Sequence, residues 1–261
     1  MLYFIGNPSR IYHVEAHFPN GERETMKMIF RILHTLFLYL LTVISFFVGT
    51  GIILCIAPFA KDQAKLFQTA ATIWARFLLF FSGVKVTIRG LENVPRGQPL
   101  IYVSNHQGAG DVPLMLAYLP SRFRFAIKKE LFSVPIFGWY LRQAGYFSID
   151  RKIMLSAYKS LERMIEILKA GESVLIFPEG TRSQDGSLGK FKRGSLMAAL
   201  KAGVPVVPIA ISGAYAIMPR GTYLINPKTV KISFGTPIYI KSEEEYEQKV
   251  EEARNAIAGM L

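Results

Sequence analysis

The stretch Asn105-His106-Gln107-Gly108-Ala109-Gly110-Asp111 holds the side chains best able to move a proton at neutral pH. The chain has four histidines. His13 and His17 lie in a polar N-terminal stretch and His34 lies at the edge of a long apolar run, so His106 is the one histidine of the remaining body. An imidazole with an unperturbed pKa of ~6.5 can both accept and return a proton, as a general base must. Asp111 follows five residues later. On a single helix the two side chains would stand ~140° apart, so they can meet only across a loop. Gly108 and Gly110 are expected to give that loop the freedom to curl back. A carboxylate on one ring nitrogen would fix the tautomer and leave the other nitrogen as base. The competing reading makes Asp111 the cap of a helix ahead of Pro113, and His106 a polar residue at a strand end.

A second constellation is Phe177-Pro178-Glu179-Gly180-Thr181-Arg182-Ser183, directly after the strand-like run Ser173 to Phe177. Loops beyond the carboxyl ends of strands are where open α/β sheets bind ligands. Arg182 offers a planar fork of donors that suits a phosphate monoester, and Thr181 and the Gly180 amide add neutral donors. Glu179 would repel an anion. Within the same binding loop it reads as a brace for Arg182 or for the backbone. Lys190, Lys192 and Arg193 add positive charge before a helix that opens after Gly194. The alternative is a solvated loop with incidental charge. Lys128 and Arg151 could each reach a phosphate from a strand end. The aromatic stretch Phe132 to Phe147 could line a path for an acyl chain or simply fill a core.

These residues need a scaffold, and from Val84 onward the pattern alternates. Val84, Val86 and Ile88 repeat with period two, and Pro99–Ser104 and Phe123–Lys128 are strand-like. Ser173–Phe177, Pro205–Ile211 and Val230–Phe234 complete the strand-like set. Helical periods fall at Val112–Tyr118, Leu155–Ala170 and Ser195–Ala202, and Ser242 with Glu245 predicts a capping box for a last helix. Such alternation predicts an α/β fold, a layered αβα domain on a largely parallel or mixed sheet.

The chain has 261 residues, 51% hydrophobic, with a formal net charge of +12. The charge implies anionic partners, but no run of five Lys/Arg and no nucleic-acid module occurs, so a membrane surface is favoured over nucleic acid. The single cysteine, Cys55, excludes an internal disulfide and a Cys-rich zinc site, and no ligand spacing calls for a metal. Thr35 to Ala60 carries no charge and is long enough to cross a bilayer. Leu66 to Phe81 reads as an amphipathic helix with Trp74 and Arg76 near headgroup level. Together they predict an apolar two-helix membrane anchor. The predicted organisation is an extension over 1–28, the anchoring hairpin over 29–82, and the α/β body over 83–261. A spanning helix followed by a core helix is the alternative.

In order and together these segments resemble the glycerolipid acyltransferases, and specifically the bacterial 1-acyl-glycerol-3-phosphate (lysophosphatidic acid) acyltransferases. Asn105–Asp111 matches that family's NHxxxxD block, Phe147–Arg151 its second, Phe177–Ser183 its FPEGTRS block, and Val204–Ile209 its proline-containing fourth. The resemblance covers roughly 91–211. Ser148 departs mildly, standing where the second block often has a larger apolar residue.

The resemblance implies that His106, oriented by Asp111, deprotonates the free 2-hydroxyl of lysophosphatidic acid. That oxygen would attack an acyl thioester carried by acyl carrier protein or CoA and give phosphatidic acid, with no cofactor and no acyl-enzyme. No Gly-x-Ser-x-Gly elbow occurs, in keeping with direct transfer. Lys128, Arg151 and the loop Glu179, Gly180, Thr181 and Arg182 would hold the acceptor. The expected place is the inner (cytoplasmic) membrane, the site facing the cytoplasm and the anchor monotopic. Three rivals stand beside this reading. One is a sister acyltransferase acting on glycerol-3-phosphate or another lysophospholipid. A thioesterase or phosphatase is the second, and a non-catalytic anionic-lipid binder the third.

Overall fold

The structure, a computed structural model, describes residues 20–149, 154–219 and 221–261. It opens with α1 (Asn20–Ile56), 37 residues long, which passes into a 3-10 turn over Ala57–Phe59 at Pro58. Asp62 accepts a hydrogen bond from the Lys65 amide at 2.9 Å and so caps α2 (Gln63–Ser82). Gly83, at φ 69°, ends α2 in the left-handed conformation. The body then follows as β1 (Lys85–Arg89), β2 (Ile101–Ser104), α3 (Asp111–Tyr118), β3 (Phe123–Lys128), α4 (Lys129–Phe132), α5 (Phe137–Gln143) and β4 (Phe147–Ile149). It continues with α6 (Met154–Lys169), β5 (Ser173–Ile176), α7 (Met197–Ala202), β6 (Val206–Ser212), α8 (Ala214–Ile217), β7 (Thr229–Phe234) and α9 (Tyr246–Met260).

The strands form one sheet of seven in the order β1-β7-β6-β2-β5-β3-β4. All neighbouring pairs are parallel except β6 with β7. Both faces are covered, so the central strands are buried throughout rather than alternating. The pleat sends Tyr102, Leu175 and Val207 to one face, where α2, α3 and α5 pack. Ile101, Val103, Val174 and Val206 point to the other, under α6, α7 and α9. This is the layered αβα body with a mixed sheet that the alternation predicts.

Three details differ from the sequence expectation. First, α4, α5 and β4 occupy the aromatic stretch 132–147; Tyr140, Leu141, Ala144 and Tyr146 are buried in the core, so packing accounts for these aromatics. Second, α9 starts only at Tyr246. Glu245 does reach back to the amides of Lys241 and Ser242, but Ser242 does not cap the helix, so only half of the box forms.

Third, the two-helix anchor is corrected to one apolar helix. Gly21–Phe59 is the one described segment long and apolar enough to cross a membrane, and it is mostly unburied. Helix α2 instead turns Phe67, Ala71, Ala75 and Leu79, one residue per turn, into the core against α3 and α5. Its polar groups are tied there as well. Gln68 donates to the Ala144 carbonyl at 2.7 Å, Tyr140 donates to the Phe67 carbonyl at 2.7 Å, and Arg76 donates to the Ala117 carbonyl at 2.9 Å. Helix α1 leans on α2 through Trp74 Nε1, which donates to Ser45 Oγ at 2.9 Å, and on the body through Tyr39, which donates to the Tyr223 carbonyl at 2.6 Å. It also runs through the expected 28/29 boundary without a break.

Candidate active site

β2 and β5 lie side by side and parallel, yet the helices that follow them cover opposite faces of the sheet: α3 packs in the first layer and α7 in the second. Chains that leave neighbouring strand ends in opposite directions open a crevice between them, the switch point where α/β sheets bind ligands. Both sequence constellations fall there. The 105–111 loop leaves the carboxyl end of β2, and the 177–183 loop leaves that of β5.

His106 Nδ1 and Asp111 Oδ2 are 2.7 Å apart, with the Asp111 side chain fully buried and the His106 side chain 13% exposed. A carboxylate can only accept, so Nδ1 carries the proton and Nε2, which has no partner among the described residues, carries the lone pair. Asp111 Oδ2 also accepts from the Gly108 amide at 2.8 Å. The helix-cap reading of Asp111 is not realised. It is the first residue of α3, behind Gly110, and its side chain turns back into the loop. Its charge still meets the positive end of α3. The glycines serve differently from the expectation. Neither Gly108 nor Gly110 adopts positive φ, but a Cβ on Gly108 would come within 3.3 Å of the Ala214 carbonyl oxygen. They provide close approach to α8, not unusual dihedrals.

Three further contacts fix the imidazole. Its ring stacks on Phe177, centroids 4.2 Å apart at 21°. Its amide donates to Glu179 Oε1 at 2.7 Å, and its carbonyl accepts from the Ser183 amide at 2.7 Å. Glu179 Oε2 accepts from the Gly189 amide at 2.7 Å. Both oxygens of this buried carboxylate are thus engaged by backbone amides, which is the loop-brace alternative, and not by Arg182. Asn105 locks the same loop to β6, donating to the Ile211 carbonyl at 2.9 Å and accepting from its amide at 2.8 Å. Gln107 donates to the Gly186 carbonyl at 2.9 Å.

Among the remaining candidates, Thr181 and Arg182 are exposed at the mouth of the crevice, and Gly180 stands at φ 73°. Lys128 ends β3, the strand beside β5, and pairs with Glu130 at 3.3 Å. Arg151 lies outside the described residues, as do His13 and His17. Phe177, Asn105 and Gln107 carry no assigned role in the sequence reading. Asn105 and Gln107 do sit inside the histidine block, and a polar pair directly after a buried strand is the signal that could have found them. No group of three His, Cys, Asp or Glu among the described residues is placed to hold a metal ion. A cavity of about 230 Å³ between Thr72, Arg76, Arg122 and Phe123 opens at the amino end of β3, away from His106. Neither His106 nor Asp111 lines that cavity.

A family model described as acyltransferase matches residues 85–212, which hold the whole crevice. The chain is 34% identical over 216 residues to a 1-acyl-sn-glycerol-3-phosphate acyltransferase of Pseudomonas aeruginosa, covering 81% of this chain and 82% of that one. It is 38% identical over 202 residues to a chloroplastic 1-acyl-sn-glycerol-3-phosphate acyltransferase of Brassica napus, covering 77% of this chain. It spans 57% of the length of that relative and 54% of a similar one from Arabidopsis thaliana. The crystal structure of the 1-acyl-sn-glycerophosphate (LPA) acyltransferase, PlsC, from Thermotoga maritima superposes with a TM-score of 0.77 at 32% identity, over 89% of this chain and 97% of that one. With that crevice, that sheet and these relatives, the chain belongs to the acyltransferase family of which these 1-acyl-sn-glycerol-3-phosphate acyltransferases are members.

Proposed function

We infer that the protein transfers a fatty acyl group from an acyl thioester to the free 2-hydroxyl of lysophosphatidic acid, giving phosphatidic acid. The observation that carries this reading is the 2.7 Å contact of His106 Nδ1 with buried Asp111, which leaves Nε2 as a base at the mouth of the crevice. Nε2 takes the hydroxyl proton as the oxygen attacks the thioester carbonyl carbon. The C–O bond forms, the C–S bond breaks, and the imidazolium returns its proton to the departing thiolate. Asp111 stabilises the transient positive charge and holds the tautomer. General-base catalysis accounts for about 10²–10⁴-fold of the rate. Holding the hydroxyl in line through its phosphate supplies more, and that task falls to Arg182, Lys128 and Arg151, with the Thr181 hydroxyl and the Gly180 amide beside them. Glu179 acts one step back by fixing the loop that bears His106.

The acceptor is a membrane lipid and the donor, acyl carrier protein or CoA, is soluble. A crevice on a body tied to an exposed apolar α1 fits that division. We place the protein at the inner (cytoplasmic) membrane with its site facing the cytoplasm and α1 held in one leaflet. Product analysis tests the reading: purified protein, one thioester donor, and a panel of acceptors comprising lysophosphatidic acid, glycerol-3-phosphate and lysophosphatidylcholine. Phosphatidic acid is the expected main product. Free fatty acid in every reaction, lipid product in none, would make it a thioesterase.

A further inference from the structure

Several cations on this surface are paired with a neighbouring carboxylate. Arg124 pairs with Glu172, Arg122 with Asp62, Arg163 with Glu166, Arg193 with Glu247 and Arg254 with Glu251. The exposed Lys192 is not among these pairs, and what sets it apart is where its chain lies. Its backbone is fixed by donation from its amide to the Pro178 carbonyl at 2.9 Å. Two positions before its neighbour Phe191, Gly189 is held by Glu179, and Arg254 donates to the Gly189 carbonyl at 3.3 Å. The 189–192 strand of chain is therefore laced onto the 177–183 loop.

The side chain of Lys192 lies in the place a side chain on residue 180 would take. A Cβ built on Gly180 would fall 2.4 Å from Lys192 Cε and 2.6 Å from its Nζ, and Gly180 itself holds φ 73°. Glycine at 180 thus does two things: it permits the left-handed turn, and it leaves a channel through which the lysine stem crosses the loop. On either side of that crossing, Glu179 accepts from the amide of His106 and Ser183 donates to its carbonyl. The geometry thus puts an exposed ammonium against the loop that positions His106, the same loop that carries Arg182.

We propose that Lys192 binds the phosphate monoester of the acceptor together with Arg182, making it a further binding residue of the reaction. This rests on the function proposed above. Arg193, its neighbour, is spoken for by Glu247 at 2.9 Å and takes no part. The lysine contributes as a compact point charge on a flexible stem, and Arg182 supplies the planar fork.

The test is steady-state kinetics of Lys192→Gln, which keeps most of the stem and removes the charge, and of Lys192→Arg. Lys192→Gln should raise KM for lysophosphatidic acid about tenfold or more, the order expected when a charge-assisted contact is lost. The kcat at saturating acceptor and the KM for the thioester should change far less. Inhibition by glycerol-3-phosphate should weaken in parallel, and Lys192→Arg should restore much of the acceptor affinity. In a Gly180→Ala background, where the lysine is pushed aside, Lys192→Gln should add little. An unchanged acceptor KM overturns the proposal. So does a rise in the donor KM alone, which would assign the charge to the phosphates of CoA or the carrier. A fall in Tm and kcat with acceptor KM intact would make Lys192 a structural brace and overturns it equally. A wild-type protein that makes no phosphatidic acid would instead remove the function on which the proposal stands.

Discussion

At the scale of single residues, the His106–Asp111 contact predicts two variants with different pathologies. His106→Ala removes the base, and transfer should fall by about 10²–10⁴-fold while the folded body persists, since the side chain is partly exposed at a loop. Asp111→Asn leaves the imidazole in place but presents an amide to Nδ1. It should be nearly as damaging, because an amide can hold the wrong tautomer. Single-turnover rates on the folded variants check both; a near-normal Asp111→Asn would strip the aspartate of its role. Glu179→Gln tests the brace. Its two oxygens accept amides of His106 and Gly189, and a glutamine would offer one oxygen and one NH₂ to two N–H donors. Stability should drop by about 1–3 kcal/mol, and kcat should fall with it as the His106 backbone loosens. Thermal unfolding together with kcat measures this, and no change in either would mean the loop is held by other contacts.

At the scale of elements, the two N-terminal helices do different things in spite of similar composition. Phe67 of α2 is buried beneath Trp139 and Tyr140, with ring centroids 5.4 Å and 5.0 Å away. Phe67→Ala should therefore cost about 3–5 kcal/mol in denaturant unfolding. Leu36 of α1, 59% exposed, contributes little to the body. Leu36→Ala should leave the unfolding midpoint unchanged and weaken attachment to vesicles. Equal effects from the two variants would contradict the assignment of α2 to the core. It follows that removing residues 1–82, as a simple anchor deletion would, takes a core helix with it, and that a cut within 57–62 is the sound one.

At the scale of the whole molecule, charge and apolar surface act together. A net charge of +12 and an outward α1 face bearing Phe30, Leu33 and Leu40, with Phe59 exposed in the turn beyond it, suit a negatively charged bilayer. Binding to anionic vesicles should weaken between low and physiological salt without vanishing, because screening removes the electrostatic part and leaves the apolar part. Complete release by salt would mean that α1 does not insert. The one-leaflet placement is checked by labelling Lys61→Cys in a Cys55→Ser background, needed because Cys55 is exposed. Lys61 and Lys65 at the helix junction are costly to carry across a bilayer centre. Reaction only from the catalytic side is expected, and reaction from the opposite side would make α1 a spanning helix.

The sequence by itself determined the strand–helix alternation and hence the αβα layers, since period-two and period-3.6 patterns are local properties of the chain. It also placed His106, Asp111 and the 177–183 loop after strand-like runs, because one histidine in the body and one block of donors leave few alternatives. Tertiary structure alone decided the rest. Whether Asp111 capped a helix or held an imidazole depended on the path of a short loop, and that path is set by Ala214 and Ile217 far along the chain. Whether Glu179 paired with Arg182 or with backbone depended on amides contributed by His106 and Gly189, 73 and 10 residues away. The fate of α2 was the least legible of all. A stripe of Phe, Ala and Leu reads the same whether it faces lipid or a protein core, and only the presence of α3 and α5 against it makes the difference.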